Sequence, residues 1–255
     1  MPLQKVKKPP GRRVLVVSDI HGNLPFLKGV LDKAGFSGDD ILILLGDLLE
    51  RNEGSLDTLR YVMELSQEHT VYTILGNCDN LVLDFVDCRG DLNDDFYHKR
   101  WFTLGERAIL VKMARLAGTT VDTPADYPAA REAIAKMFKP ELDFLRGLPH
   151  IYINRDYLFV HGGVPREEGL EELDAFGVMK NDDFLNQGHS FRRWVIVGHW
   201  PVTLYRPDIP SAKPLLDEEK HIASIDGGCV LKWDGQLNAP DFARTARRGI
   251  LLCVL

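Results

Sequence analysis

The chain has 255 residues, of which 45% are hydrophobic and 27% are charged, and its formal net charge at pH 7 is −6. This composition is typical of one globular domain with a substantial core. The negative charge argues against a stable complex with DNA or RNA, or with an anionic membrane surface, because such partners require a basic face. No stretch approaches the roughly 18 to 20 apolar residues that span a bilayer.

The cysteine pattern predicts a cellular compartment, and the basic residues near the start of the chain predict a domain boundary. The four cysteines show neither Cys-x-x-Cys spacing nor the density of a disulfide scaffold, so we expect reduced thiols in a cytoplasm. Lys and Arg are frequent in residues 1–12, but no long apolar segment follows, which argues against a standard signal peptide. We interpret residues 1–12 as a solvated, mobile basic arm and residues 13–255 as one domain.

Three apolar runs near the start of this domain each end in a polar cluster that contains glycine. The runs are residues 14–17, 41–45 and 71–75, and the clusters contain Asp19, His21, Asp47, Asn77, Cys78 and Asp79. Apolar residues at helical spacing lie between the runs, with Gly35 as the stop of the first helix and Ser55 as a candidate N-cap of the second. The alternation of strand and helix predicts an α/β fold with a parallel sheet.

The remainder of the chain contains a helical segment and further strands. Apolar residues at helical spacing between about 81 and 150 predict a helical cap beside the site, and the acidic patch of Asp91, Asn93, Asp94 and Asp95 predicts a solvated surface. Two later apolar runs end at His161 and at His199. Short strands and a tight turn at Asp234-Gly235 suggest a second sheet packed on the first.

Polar residues at five predicted strand ends should converge, because ligand sites in open α/β sheets lie at the carboxyl ends of the strands. Imidazoles together with hard oxygen ligands suit manganese, iron or zinc better than calcium. Six ligands suffice for two ions if one carboxylate bridges, and a two-metal site activates a bridging water for in-line displacement at phosphorus. The six candidate ligands are Asp19, His21, Asp47, Asn77, His161 and His199.

These clusters, in this order over residues 14–235, resemble the calcineurin-like metallophosphoesterases. The motifs are Asp19-x-His21, Gly46-Asp47, Gly76-Asn77-x-Asp79, His161-Gly162 and Gly198-His199. The runs at residues 159–163, 198–201 and 224–230 are similar to the bacterial form of the phosphoprotein phosphatase branch, which includes serine/threonine phosphatases and symmetrical diadenosine tetraphosphatases. The resemblance implies an α/β fold, a four-layer αββα sandwich with a helical cap insertion.

The resemblance also implies roles for individual residues. Asp19 and His21 would hold the first divalent ion, Asp47 would bridge, and Asn77, His161 and His199 would hold the second. We expect manganese, with iron or zinc as alternatives. Asp47, Arg51, Cys78 and Asp79 occupy places of catalytic residues, and Arg51 and Asn77 would bind phosphate. We predict Arg206 as a second phosphate-binding arginine, although the sequence does not distinguish it from Arg192 and Arg193.

One position departs from the family and affects the expected substrate. The family usually has a histidine after the metal-binding asparagine, where it protonates the departing oxygen, and this chain has Cys78. A thiol, with an ordinary pKa of about 8.5, is a poorer proton donor near neutrality than an imidazolium. We therefore expect activated esters or nucleoside polyphosphates to be hydrolysed better than phosphoserine.

Three functional hypotheses follow from these residues. The first is a phosphatase acting on a phosphorylated small molecule, a nucleoside polyphosphate or a phosphoprotein. The second is a phosphodiesterase on the same fold, against which Pro201 argues, because it stands where phosphodiesterases carry a second histidine. The third is an inactive metal-binding scaffold, an alternative that Cys78 leaves open.

Overall fold

The computed structural model of the chain describes residues 2–6, 11–89, 96–206, 208, 211–230, 235–242 and 251–254. The acidic residues 91–95, Asp234 of the predicted turn and the basic residues Lys7 and Lys8 lie outside the described residues. In the described part, two β-sheets pack face to face and helices cover their outer faces. The predicted αββα sandwich is confirmed.

The first sheet has five strands. Their bounds are β2 Val14–Val17, β3 Ile41–Leu44, β4 Thr70–Thr73, β10 Asn238–Asp241 and β11 Leu251–Val254. They are ordered β11-β10-β2-β3-β4, and β2, β3 and β4 are parallel, as the strand and helix alternation predicts. The crossovers are α1, Leu24–Ala34, and α2, Ser55–Glu68. Strands β10 and β11 are antiparallel additions at one edge.

The second sheet has six strands. Their bounds are β1 Leu3–Lys5, β5 Ile151–Ile153, β6 Tyr157–Val160, β7 Trp194–Val197, β8 Leu215–Asp217 and β9 Ile222–Ser224. They are ordered β1-β5-β6-β7-β9-β8, and β6, β7 and β9 are parallel. The carboxyl ends of these three strands therefore lie at one edge, as those of β2, β3 and β4 do in the first sheet.

Strand β1 shows that residues 3–6 of the predicted basic arm are part of the second sheet. Leu3–Lys5 pairs in parallel with Ile151–Ile153, and the backbone N–H of Val6 donates to the carbonyl of Ile153 at 3.0 Å. The physical reason is that β5 would otherwise leave a row of unpaired backbone groups at the sheet edge. Backbone pairing of this kind needs no apolar sequence, so the basic composition did not reveal it.

Side chains on the central strands alternate between two apolar layers. Val14 and Val16 of β2 face the second sheet, whereas Leu15 and Val17 pack under the helices. The same alternation in β6 sends Phe159 toward the first sheet and sends its neighbours toward the outer layer. Strands buried on both faces read as continuous apolar runs, which is why the sequence pattern located them.

The segment between β4 and β5 is mainly helical. It contains α3 Asn77–Asp87, a π-helical turn Tyr97–Trp101, a 3₁₀ segment Phe102–Arg107, α4 Ile109–Leu116, α5 Tyr127–Met137 and α6 Lys139–Arg146. Phe85 of α3 makes edge-on ring contacts with Tyr97, Phe102 and Tyr127 at 5.1–5.5 Å between centroids. An aromatic cluster therefore joins α3 to the rest of this segment.

Two short helices follow in the second half, α7 Ala175–Met179 and α8 Val202–Tyr205. Ser55 is the first residue of α2 rather than its N-cap, a place that Gly54 takes. The Ser55 hydroxyl instead accepts from the Glu50 N–H at 2.9 Å and donates to the Asn52 carbonyl at 2.7 Å. None of the helices within the described part of the chain has the length and hydropathy needed to cross a bilayer.

Candidate metal centre

The predicted ligands come from loops at the carboxyl ends of five parallel strands. Asp19 and His21 follow β2, Asp47 follows β3, Asn77 opens α3 after β4, His161 follows β6 and His199 follows β7. Four of them, Asp19, His21, Asp47 and His199, have positive φ angles between 48° and 66°. A non-glycine residue in this region costs on the order of 1 kcal/mol or more, and such strain concentrates at functional sites.

His21, Asp47 and Asp19 form the first group. Nε2 of His21 lies 3.7 Å from Oδ2 of Asp47 and 3.9 Å from Oδ1 of Asp19. Nδ1 of His21 donates to the Leu49 carbonyl at 3.1 Å, which leaves Nε2 to face the carboxylates. Oδ1 of Asp19 is buried and has no hydrogen-bond partner within the described part of the chain. An orphaned carboxylate oxygen beside an imidazole nitrogen fits a divalent cation.

His161, His199 and Asn77 form the second group with Asp47. Nε2 of His161 lies 3.3 Å from Oδ1 of Asp47 and 3.2 Å from Oδ1 of Asn77, while its Nδ1 donates to the Leu45 carbonyl at 2.6 Å. Nε2 of His199 donates to Asp182 at 2.6 Å, so Nδ1 is the ring nitrogen left for a ligand role. Potential ligand atoms of Asp47, His161 and His199 lie within 4.8 Å of one another. Asp47 belongs to both groups.

Two glycines allow the loops to approach so closely. A Cβ atom at Gly76 would overlap the backbone N and Oδ1 of Asp47. One at Gly198 would overlap the Ser18 hydroxyl and Oδ2 of Asp19. At this second position the His199 N–H donates to Oδ2 of Asp19 at 2.9 Å, a bond that joins the two sheets. The Gly-Asn and Gly-His motifs therefore serve close backbone packing as well as ligand placement.

Burial and neighbouring charges shift the pKa values of the three candidate histidine ligands. Burial lowers the pKa of His21 despite the nearby carboxylates of Asp47 and Asp19, so its Nε2 carries a lone pair at neutral pH. Burial and the charge of His161 lower the pKa of His199 in the same way. Burial opposes it, but the Asp47 carboxylate raises the pKa of His161 to about 10. A cation must therefore displace a proton from His161 on binding.

Cys78 and Asp79 stand at the first turn of α3. The Cys78 N–H donates to Oδ1 of Asp47 at 2.9 Å, and burial together with the Asp47 charge raises the pKa of its thiol well above the usual value. Its sulfur also lies within 4.8 Å of ligand atoms of His21 and Asp47. At neutral pH Cys78 is thus a neutral thiol at the wall of the site rather than a thiolate.

Asp79 is fully buried and bonds only to backbone within the described contacts. Its Oδ1 accepts from the N–H groups of Leu48 and Leu49 at 3.0 and 3.1 Å, and its Oδ2 accepts from the Gly76 N–H at 3.1 Å. Burial and the Asp47 charge raise its pKa to about 7. These contacts fasten the Asp47 loop to α3, and a direct catalytic role for Asp79 stays a prediction.

A cavity of about 420 Å³ opens over both groups. Arg51, Asn77 and Cys78 line it, together with the predicted ligands His21, Asp47 and His199. Arg206 does not line this cavity, because its guanidinium donates to the carbonyls of Ser211 and Lys213. Arg192 and Arg193 instead contact Glu167. A phosphate-binding role for Arg206 thus stays a prediction that no contact supports.

Sequence reasoning missed several residues of this cavity. Asp226 is buried and lies just after the end of β9, as the six candidate ligands lie after the ends of their strands, so the same strand-end pattern could have placed it in the site. Lys180 and Asp182 come from a loop that carries no such signal. The apolar wall consists of Leu81, Phe96, Trp101, Phe176, Trp200, Pro201, Leu204 and Val230.

Two curated relatives match a short part of the chain. The symmetrical bis(5'-nucleosyl)-tetraphosphatase of Escherichia coli strain K12 / DH10B is 45% identical over 65 residues, which is 25% of this chain and 22% of that protein. The match therefore spans about a fifth of the length of that curated relative. The same enzyme from Shigella boydii serotype 18 matches equally.

Three solved structures share the fold at low identity. A candidate diadenosine tetraphosphatase has a TM-score of 0.62 at 20% identity and covers 99% of this chain and 97% of its own. A protein serine/threonine phosphatase from Saccharomyces cerevisiae has a TM-score of 0.53 at 13% identity, covering 100% and 83%. A cold-active protein-tyrosine phosphatase from a Shewanella species has a TM-score of 0.54 at 16% identity, covering 94% and 78%.

The calcineurin-like phosphoesterase profile matches residues 12–225, a stretch that contains all six predicted ligands. The match covers most of the chain, and two groups of potential ligand atoms within that stretch share Asp47. The chain belongs to the calcineurin-like phosphoesterase family.

Proposed function

We propose that this protein is a metal-dependent phosphatase that hydrolyses phosphate monoesters with good leaving groups, or nucleoside polyphosphates, at a site for two divalent cations. The observation that carries the proposal is the place of Asp47 in both groups of potential ligand atoms. One carboxylate can then serve two ions. Family membership supports hydrolysis of phosphoric esters.

The ligand roles follow from the two groups. Asp19 and His21 would hold one cation and Asn77, His161 and His199 the other, with Asp47 shared. When bound, such a pair acts as a Lewis acid and supplies a nucleophilic hydroxide at neutral pH. Mixed imidazole and oxygen donors favour manganese, with iron or zinc as alternatives. The backbone carbonyls behind His21 and His161 fix the ring orientation that this requires.

Arg51 and Asn77 are the proposed phosphate-binding residues. Both line the cavity, and Arg51 is exposed there at the end of the loop that carries Asp47. A guanidinium can hold two phosphate oxygens at once, which aligns phosphorus for in-line attack. Lys180 is a second cation of the same cavity, where its Nζ donates to Oδ1 of Asp182 at 2.6 Å.

Cys78 determines the proposed preference among leaving groups. A buried neutral thiol with a raised pKa is a weak proton donor, so a leaving group must depart without much protonation. Aryl oxides and phosphoanhydride phosphates do so more readily than the alkoxide of serine. The apolar wall that includes Phe96, Trp101 and Phe176 offers surface for an aryl group or a nucleobase.

A substrate panel in the presence of Mn²⁺ tests the proposal. We expect kcat/KM for 4-nitrophenyl phosphate and diadenosine tetraphosphate to exceed that for a phosphoserine peptide by about 100-fold or more, since an unassisted poor leaving group loses a general-acid contribution of that size. Chelation should abolish all three activities and Asp47→Asn should lower each of them strongly, whereas Asp39→Asn, which changes an exposed carboxylate outside the site, should not.

Each alternative has its own outcome in that panel. Faster hydrolysis of an aryl diester or a cyclic nucleotide would identify a phosphodiesterase. Cation binding without turnover of any substrate would identify a scaffold. Comparable kcat/KM for the phosphoserine peptide and diadenosine tetraphosphate would contradict the leaving-group preference.

A further inference from the structure

Glu50 is a buried acid three residues after Asp47, with no place among the ligands. Its side chain is fully buried, and its backbone has a positive φ of 73°. Burial raises its pKa to about 8, although the Trp101 indole, the Ile109 N–H and the Arg51 charge act in the opposite direction. Glu50 is therefore a neutral carboxyl group at pH 7, and a glutamine has nearly the same shape and hydrogen-bonding capacity.

The contacts of this carboxyl group lead away from the metal site. Its Oε1 accepts from the backbone N–H of Ile109 at 3.2 Å. Ile109 is the first residue of α4, and the first N–H groups of a helix have no partner within the helix. Glu50 thus satisfies one of these groups and joins the Asp47 loop to the cap helix.

The second carboxyl oxygen faces the cavity wall. Oε2 of Glu50 and Nε1 of Trp101 are both buried, and neither has a hydrogen-bond partner among the residues that the structure describes. The indole nevertheless lies close enough to oppose the rise in the Glu50 pKa. An adjacent, unpaired donor and acceptor can bond after a small shift of the wall toward the loop, and both buried groups would gain by it.

A second connection runs beside the first. Nζ of Lys112, one turn along α4, donates to the Glu53 carbonyl at 2.9 Å and lies 3.7 Å from Oδ2 of Asp57. The loop from Glu50 to Asp57 is in turn braced by the Ser55 hydroxyl, which accepts from the Glu50 N–H. The cap helix is therefore attached to one braced loop whose other end carries Asp47.

We propose that Glu50 is a positioning residue that fastens the cap segment 96–116 to the Asp47 loop, through Ile109 and Trp101, and so sets the selectivity of the cavity for bulky leaving groups. Trp101 and Phe96 of this segment line the cavity, whereas Glu50 itself does not. Loss of the attachment should loosen the wall without moving the ligands. The selectivity part rests on the proposed phosphatase function, and the fastening part does not.

Hydrogen exchange tests the fastening on the full chain without substrate. In Glu50→Ala, we expect amide exchange in a peptide covering residues 108–116 to accelerate by about tenfold or more, since the Ile109 N–H loses its acceptor. Glu50→Gln retains an oxygen at that place and should restore slow exchange. Glu53→Ala is the matched control, because it changes an exposed neighbour while its backbone carbonyl still accepts from Lys112. Equal exchange in wild type and Glu50→Ala would overturn the proposal.

Kinetics with two activated substrates test the selectivity. Acetyl phosphate has a small leaving group and 4-methylumbelliferyl phosphate a large planar one. In Glu50→Ala and Trp101→Phe, we expect KM for the large substrate to rise about tenfold while KM for acetyl phosphate changes by less than about twofold. Trp101→Phe keeps an aromatic ring and leaves Glu50 in place, while it removes the N–H together with part of the ring surface, so it also serves if Glu50→Ala folds poorly.

The kinetic outcomes separate positioning from a direct part in the reaction. A similar fall in kcat for both substrates in Glu50→Ala and Glu50→Gln would overturn the proposal, because Glu50 would then act on the reaction itself. Rescue of the KM ratio by Glu50→Gln supports it. If the wild type hydrolyses neither substrate with Mn²⁺, the phosphatase function fails, while the exchange result still decides whether Glu50 fastens the cap.

Discussion

The floor of the cavity, which the candidate metal ligands form, and its apolar wall are made of different kinds of residue. The floor consists of buried polar side chains on loops whose backbone is strained and tightly packed, with His21 and His161 oriented by backbone carbonyls. The wall consists of aromatic and aliphatic side chains from helices and loops, among which Phe176 is 52% exposed. A rigid floor suits chemistry that tolerates little displacement, whereas a wall held by fewer polar contacts suits variation in the substrate.

The largest effect expected from the floor is that of Asp47→Asn. An amide cannot supply the shared negative charge, so we expect the variant to lose at least one of two bound Mn²⁺ ions. The kcat should fall on the order of 10³-fold, since several kcal/mol of charge stabilisation are removed. Metal stoichiometry after gel filtration is the measurement. Two retained ions would show that Asp47 is not the shared ligand.

Gly198→Ala tests whether the floor depends on close backbone packing. The added Cβ would overlap the Ser18 hydroxyl and Oδ2 of Asp19 and displace the bond from the His199 N–H. We expect weaker cation binding and a fall in kcat/KM of about 100-fold, comparable to the loss of a metal-orienting contact. Gly38→Ala is the control, because its Cβ would meet nothing within 4 Å. Equal Mn²⁺ affinity in both variants would contradict this account of the floor.

Phe176→Ala tests the wall. Removing one exposed ring should raise KM for 4-methylumbelliferyl phosphate about fivefold, because an aromatic contact contributes about 1 kcal/mol. The kcat should change by less than about twofold, since uniform binding is lost rather than transition-state stabilisation. Met137→Ala, at a side chain of similar exposure outside the cavity, is the control. A fall in kcat without a change in KM would place Phe176 with the floor.

The smallest expected effect is a change in protein stability through Asp84 of α3, the helix that joins the floor to the wall. Asp84 is half-buried and accepts from Nδ2 of Asn80 at 2.9 Å, and burial raises its pKa to about 6. The native state then binds this proton more tightly than the unfolded state, so the contribution of Asp84 to stability falls as pH rises from about 4 to 6.

Asp84→Asn should remove the loss of stability that accompanies deprotonation of Asp84. We expect the variant to be more stable than wild type by about 1 kcal/mol at pH 8, after allowance for solvent screening, and by much less at pH 4. Urea unfolding at pH 4, 6 and 8 measures the difference. A difference that is independent of pH would show that the Asp84 carboxyl does not titrate as its burial implies.

The sequence predicts the candidate ligands of the floor more fully than it predicts the other residues of the cavity. The six candidate ligands were recognisable because each follows an apolar run, and the period of a buried strand is a local property of sequence. Asp226 obeys the same rule and was overlooked only as a site residue. Asp182 and Lys180 could not be found in this way, since they reach the cavity from an irregular loop.

The sequence by itself determined the α/β alternation, the strand ends and the residues that meet there, because hydrophobic period and glycine placement act over a few neighbouring residues. Tertiary structure alone decided which cations face the cavity, which acid orients His199, and how Glu50 meets Ile109 at a separation of 59 residues. Those contacts depend on how two sheets and a helical cap pack together, and packing joins segments whose separation in sequence carries no periodic signal.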